Sequence, residues 1–203
     1  MSSTIYLDGG GDSKELHVRC REGFRKLLKR SGFDGRLPRL VACGGRNAAF
    51  NDFKIDHVSK GASDYVALLI DSEEPVKDKE TPWDHLKARD GWDHPAGSTN
   101  DQVFLMTTCM ETWIITDREA LSAHYGKKLR LRALPPLTDM EQRLRHEVQD
   151  QLAQSTRDCT NRYVKGKRSF EILGKLTADV LEKHLPSFAR FRKILGQKLR
   201  RDR

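Results

Sequence analysis

Two short stretches of this 203-residue chain place carboxylates where a fold could use them for chemistry. The first, TIYLDGGGDSKEL (4–16), ends an apolar run on Asp8, follows it with Gly9, Gly10 and Gly11, and sets Asp12 at the start of a helical pattern. The second, DYVALLIDSEEP (64–75), ends a longer apolar run on Asp71, with Glu73 two residues further on. Side chains alternate along extended backbone, so Asp71 and Glu73 would face one point. In an open parallel sheet the working site lies beyond the carboxyl ends of the strands, and there Asp8 would arrive opposite them. Several carboxylates around one point repel unless a cation sits between them. Hard oxygen donors with no paired His or Cys select Mg²⁺ or Mn²⁺. The expected metal set is therefore Asp8, Asp71 and Glu73, with Asp12 and the more distant Glu111 in support. The glycines allow a tight turn and leave room for a phosphate beside the metal. Each stretch also has a plainer reading: Asp12 as a helix cap, and strand-end acids that simply meet solvent.

Other residues fit the same chemistry. Glu111, in CMETW, lies within an apolar run, and a buried carboxylate needs a partner, either an arginine or a metal. YVKGKRS (163–169) sets Lys165, Lys167 and Arg168 around Gly166, where a lysine could stabilise charge on a pentavalent phosphate, or the loop could simply be solvated. Arg46 and Asn47 follow CGG and could meet a phosphate at a helix N-terminus, although capping alone would explain Asn47. Trp83 and Trp92 could stack on bases or pin a loop to the core. The tail from Arg190 to Arg203 is strongly basic, which suits a nucleic-acid backbone or an acidic partner as well as a solvated helix face.

The elements that must hold these groups read as follows. Short apolar runs at 3–8, 38–43 and 64–71 are strand candidates, the last apolar enough to be buried on both faces. Between the first two, Leu16, Cys20, Phe24, Leu27 and Leu28 recur at helical spacing, with Asp12 or Ser13 placed to cap and Gly32 to stop the helix. A second helix follows Gly44–Gly45. Strands alternating with helices argue for a parallel sheet. Residues 72–102 are polar and hold one short helix near 83–88; 103–117 could be strand or helix; 139–157 and 168–203 look helical. The expected architecture is an α/β core, mostly parallel and Rossmann-like, over 1–117 with an insertion at 72–102. A helical part over 118–203 packs on it as one compact unit.

Composition excludes several classes. The chain is 37% hydrophobic and 33% charged with net charge +8, which describes a soluble globular protein with a taste for polyanions. No run approaches the ~18 apolar residues of a membrane span, and no secretory pattern opens the chain, so a cytoplasmic location is expected. The four cysteines form no CxxC pair and the seven histidines no HExxH, so reduced thiols are expected rather than a zinc site, with Cys43 and Cys109 buried. Neither GxGxxG nor GxxxxGK[ST] occurs.

An acid plus glycine after the first strand and an acidic pair after a later one resembles the TOPRIM domain of topoisomerases, primases and overcoming-lysogenization-defect nucleases. More closely, GGGDSKELHVRCREGFRKLL, VACGGRNAAF, VALLIDSEEPV, CMETWIITDREAL and YVKGKRSFEIL resemble a bacterial family called domain of unknown function 4276. The resemblance implies a TOPRIM-like, metal-dependent nuclease acting on DNA or RNA, tRNA included, in anti-phage defence with an ABC- or SMC-type ATPase partner. Self-association into a homo-oligomer is left open. The family's first acid falls on Asp8, its later pair on Asp71 and Glu73, and its glycine turn on Gly9–Gly11. TOPRIM proteins usually carry Glu at the first position, so Asp8 is one methylene shorter and reaches less far. That difference keeps open a second reading, a weak or inactive binding subunit of such a complex. A phosphatase or receiver-like phosphotransfer domain is disfavoured by the basic charge. The expected catalytic set is Asp8, Asp71, Glu73, Lys165 and Lys167; Arg46, Lys165, Lys167 and Arg168 would contact nucleic acid.

Overall fold

A computed structural model describes residues 2–59 and 64–199, apart from the side chain of Lys167. Four strands, β1 (Ser3–Gly10), β2 (Arg39–Gly44), β3 (Tyr65–Asp71) and β4 (Val103–Met106), form one all-parallel sheet in the order β2-β1-β3-β4. Alternation along β1 divides the core. Ile5 and Leu7 join α1 (Lys14–Leu28) on one face, whereas Tyr6 joins α2 (Arg46–Ser59) and α3 (Pro82–Asp90) on the other. With helices on both faces, every residue of β3 is buried, which is why its sequence is a continuous apolar run. Each large side chain buried there contributes roughly 1.5–3 kcal/mol.

The α1 stripe packs Cys20, Phe24, Leu27 and Leu28 inward. Its cap is Ser13, whose Oγ accepts the Leu16 N–H at 3.4 Å; Asp12 is exposed and does not cap. The helix passes into a wider turn at Lys29–Phe33 and stops there, with Gly32 left-handed. The ambiguous stretch 103–117 is both things. β4 ends at Met106, a cis Thr107–Thr108 bond and Cys109 turn the chain, and α4 (Met110–Thr116) follows, all of it buried.

The helical part continues with α5 (Arg118–Tyr125), α6 (Arg145–Thr156), α7 (Lys167–Leu173), α8 (Ala178–His184) and α9 (Pro186–Lys198). These close over the α1 face in one core running from Ile5 to Leu199. Phe191 meets Phe104 of β4 at 4.9 Å between ring centres, and Phe188 meets Trp113 of α4 at 4.9 Å. The basic tail is partly internal. Arg190 is buried and donates to the Val103 and Asn100 carbonyls at 3.0 and 2.7 Å, and Arg192 pairs with Asp179 and Glu182; residues 200–203 lie outside the described residues. In the insertion, Trp83 is buried with its indole N–H on the Thr99 carbonyl, and Trp92 stacks on Phe50 at 4.2 Å. Both tryptophans therefore pin the loop. All four thiols are free, with Cys43 only half-buried, at the open end of β2. Among the described residues, no helix is long and apolar enough to cross a membrane.

Candidate metal centre

The chain leaves β1 for β2 on one side and returns past β1 to β3 on the other. The strand order therefore reverses between β1 and β3, and the crevice of a doubly wound sheet opens at their carboxyl ends. Asp71 is the last residue of β3, and Asp8 lies where the β1–β2 register slips, between Leu7 and Gly10. Glycine is required beside it. A Cβ on Gly10, at φ 96, would fall 2.5 Å from the His17 ring and 3.0 Å from its Cα; one on Gly44 would fall 2.6 Å from the Gly11 carbonyl oxygen. The two turns thus pack backbone against backbone.

One carboxylate oxygen each from Asp8, Asp71 and Glu73 lies within 4.8 Å of the other two. Glu73 does not reach this point by continued strand alternation, as the sequence suggested. The strand ends at Asp71, and Glu73 sits in the left-handed region at φ 69, held by its N–H on the Thr108 carbonyl at 2.8 Å. A non-glycine residue there costs on the order of 1 kcal/mol, which the pairing to the chain after β4 offsets. Buried Asp71 accepts the Met110 N–H at 2.8 Å. Burial pushes its carboxyl up to about 8, with the charges of Glu111 and Asp8 adding to the shift against Lys165 and Arg145. Burial raises the Asp8 carboxyl too, opposed by Arg46, Lys165 and Arg145.

These acids line a cavity of about 790 Å³, a size suited to a small ligand or a piece of a chain. The donor set fits a hard divalent cation. Asp8, Asp71 and Glu73 would hold such an ion through carboxylate oxygens alone, and no sulfur or imidazole competes within the triad.

A family model described as domain of unknown function (DUF4276) matches residues 9–196. The chain belongs to this DUF4276 family. No curated protein and no solved structure matches it.

In this DUF4276 chain the remaining candidates part company. Glu111 lines the same cavity but is fully buried, taking the Tyr163 hydroxyl at 2.5 Å and the Gln149 amide at 3.4 Å; it pairs with no arginine among the described residues and lies outside the triad. Asp12 is exposed and does not reach the cavity, because the turn spends its acid on solvent while Ser13 caps. Arg46 lines the cavity, yet its guanidinium is already engaged. It donates to the Asp71 carbonyl, pairs with Asp90 at 2.6 Å and lies over Trp92. Lys165 also lines the cavity. Arg168 donates to the Arg162 carbonyl at 2.6 Å instead and is not part of the lining. The side chain of Lys167 lies outside the described residues. Sequence reasoning missed Arg145, which pairs with Glu73 on the cavity wall, and Tyr163. The latter had a usable signal, standing two residues before Lys165 in the same basic loop.

Proposed function

We propose that this DUF4276 protein is a TOPRIM-like, divalent-metal-dependent nuclease that hydrolyses phosphodiester bonds of DNA or RNA. The observation that carries this reading is the convergence of Asp8, Asp71 and Glu73 within 4.8 Å at the switch point of the sheet. Asp8, Asp71 and Glu73 would hold the ion, and such an ion supplies charge neutralisation at the phosphate and activation of a water. The chain's own residues do the rest. Asp71 is kept in place by the Met110 N–H, and Arg46 fixes the end of β3 through the Asp71 carbonyl. Lys165, on the loop before α7, brings an ammonium to the cavity to offset charge gathering on a phosphate. The net charge of +8 favours a polyanionic substrate.

A second reading, a weakly active or inactive binding subunit, is favoured by one residue: Asp8, short and drawn into burial. The resemblance, and nothing else, supports the further proposal of an anti-phage role beside an ABC- or SMC-type ATPase; a cytoplasmic location is proposed from the sequence pattern. The deciding experiment assays Mn²⁺-dependent cleavage of single- and double-stranded DNA and of RNA by wild type, Asp71→Ala and Asp8→Glu. Cleavage by wild type that is lost in Asp71→Ala supports the nuclease. Cleavage only in Asp8→Glu supports the inactive subunit, and none in any sample, with a partner ATPase present, refutes the nuclease reading.

A further inference from the structure

Glu73 is already occupied. Its carboxylate pairs with Arg145, the first residue of α6, and the two side chains keep only 13% and 31% of their surface exposed. Both line the cavity of the triad. The Arg145 charge also acts on the other two acids, favouring the ionised forms of Asp8 and Asp71. The other cations behave differently. Arg46 is tied to a carbonyl and to Asp90, and Lys165 pairs with none of the three acids among the described residues. Without a metal, the guanidinium thus does for Glu73 what an ion would do.

An ion and Arg145 cannot both neutralise the same carboxylate at full strength. We propose that Arg145 is a built-in counter-cation that a divalent ion must displace from Glu73, and that the displaced guanidinium then takes a phosphate group in the same cavity. This rests on the metal-centre reading above and adds to it a regulation of that site. A planar guanidinium suits both partners, since it binds carboxylate and phosphate with the same two-pronged geometry. The ion pair makes the metal site competent only for the fraction of time that it stands open. If it is closed nine parts in ten, the apparent metal affinity is weakened about tenfold. Because Arg145 begins a helix of the C-terminal part, arrival of the ion is coupled to the start of α6.

The test is calorimetric titration with Mn²⁺ of wild type, Arg145→Gln, Lys165→Gln, Glu73→Gln, the Arg145→Gln/Glu73→Gln double variant and Asp71→Ala, with thermal melts to establish folding. Arg145→Gln is expected to bind Mn²⁺ about tenfold more tightly than wild type. Lys165→Gln, which removes a charge but no pair, should gain threefold or less. In the Glu73→Gln background the effect of Arg145→Gln should shrink to that smaller value, an outcome that general charge removal or a merely structural role would not give. At saturating Mn²⁺, Arg145→Gln should bind a phosphorothioate oligonucleotide about tenfold more weakly, so the two affinities move in opposite directions. If Arg145→Gln does not fold, Arg145→Lys replaces it, with an intermediate gain in metal affinity expected. Equal tightening by Arg145→Gln and Lys165→Gln, or tightening that persists without Glu73, overturns the proposal while the metal centre stands. Oligonucleotide affinity unchanged in Arg145→Gln overturns its phosphate half. Absence of Mn²⁺ binding in wild type and in Arg145→Gln alike overturns the metal centre itself, and the proposal with it.

Discussion

Replacing Asp71 by Asn removes a charge and keeps nearly everything else. The Asn Oδ1 still accepts the Met110 N–H, now 2.8 Å from the carboxylate, and the side chain fills the same buried space. In the metal-free protein the Asp71 carboxyl is raised from its ordinary 3.8 to about 8 by burial and by Glu111 and Asp8. The folded state therefore holds this proton more tightly than the unfolded chain does. On this group's account, stability falls as pH rises from about 4 to about 8 and levels off above, because ν is larger in the native state through that window. Each tenfold displacement of a proton equilibrium is worth about 1.4 kcal/mol, so a cost of several kcal/mol stands at pH 8. Relief of only about 2 kcal/mol would raise Tm by roughly 4–8 °C in a chain of this size. Thermal melts in EDTA should show Asp71→Asn more stable than wild type at pH 8, with the difference fading by pH 4–5. Millimolar Mn²⁺ should then reverse the order, since a ligand that binds only the native state stabilises wild type alone. An Asp71→Asn protein that melts below wild type at pH 8 in EDTA would refute the claim that burial, with Glu111 and Asp8 adding to it, makes an ionised Asp71 costly.

Other consequences follow from the same packing. Gly10→Ala forces a Cβ against the His17 backbone at φ 96 and should cost about 2 kcal/mol or more in urea denaturation, with loss of Mn²⁺ binding. Tyr163→Phe leaves buried Glu111 without its 2.5 Å donor and should cost roughly 1–3 kcal/mol by the same measurement. Lys165→Ala should lower kcat of the Mn²⁺-dependent reaction by about 10²-fold while leaving metal affinity nearly unchanged. Arg168→Ala, whose guanidinium serves the Arg162 carbonyl, should leave cleavage within about twofold.

How much of this was legible in the chain depended on the range of the contact. The three early strands declared themselves through local apolar runs, and helices on both faces explain why 65–71 carries no polar alternation. Asp8 and Asp71 were legible because a strand end is a local feature and parallel topology then brings the ends together. Glu73 was found for an incomplete reason: spacing suggested it, but the backbone bond to Thr108 and a left-handed turn aim it. Stretch 103–117 stayed ambiguous since burial on all sides erases periodicity in strand and helix alike. Asp12 and Ser13 were equally good caps on paper, and only the helix's starting angle decides for Ser13. Arg145 gave no local signal. It opens an amphipathic helix among other basic residues, and its partner lies seventy-two positions earlier in the chain.

The most direct test of the account is Mn²⁺ binding to wild type by calorimetry at pH 8, beside Asp71→Ala. The account predicts saturable binding at a single triad, lost in Asp71→Ala and weakened as pH falls and Asp71 takes up its proton. Absence of binding in wild type, or binding equally strong in Asp71→Ala, would contradict it.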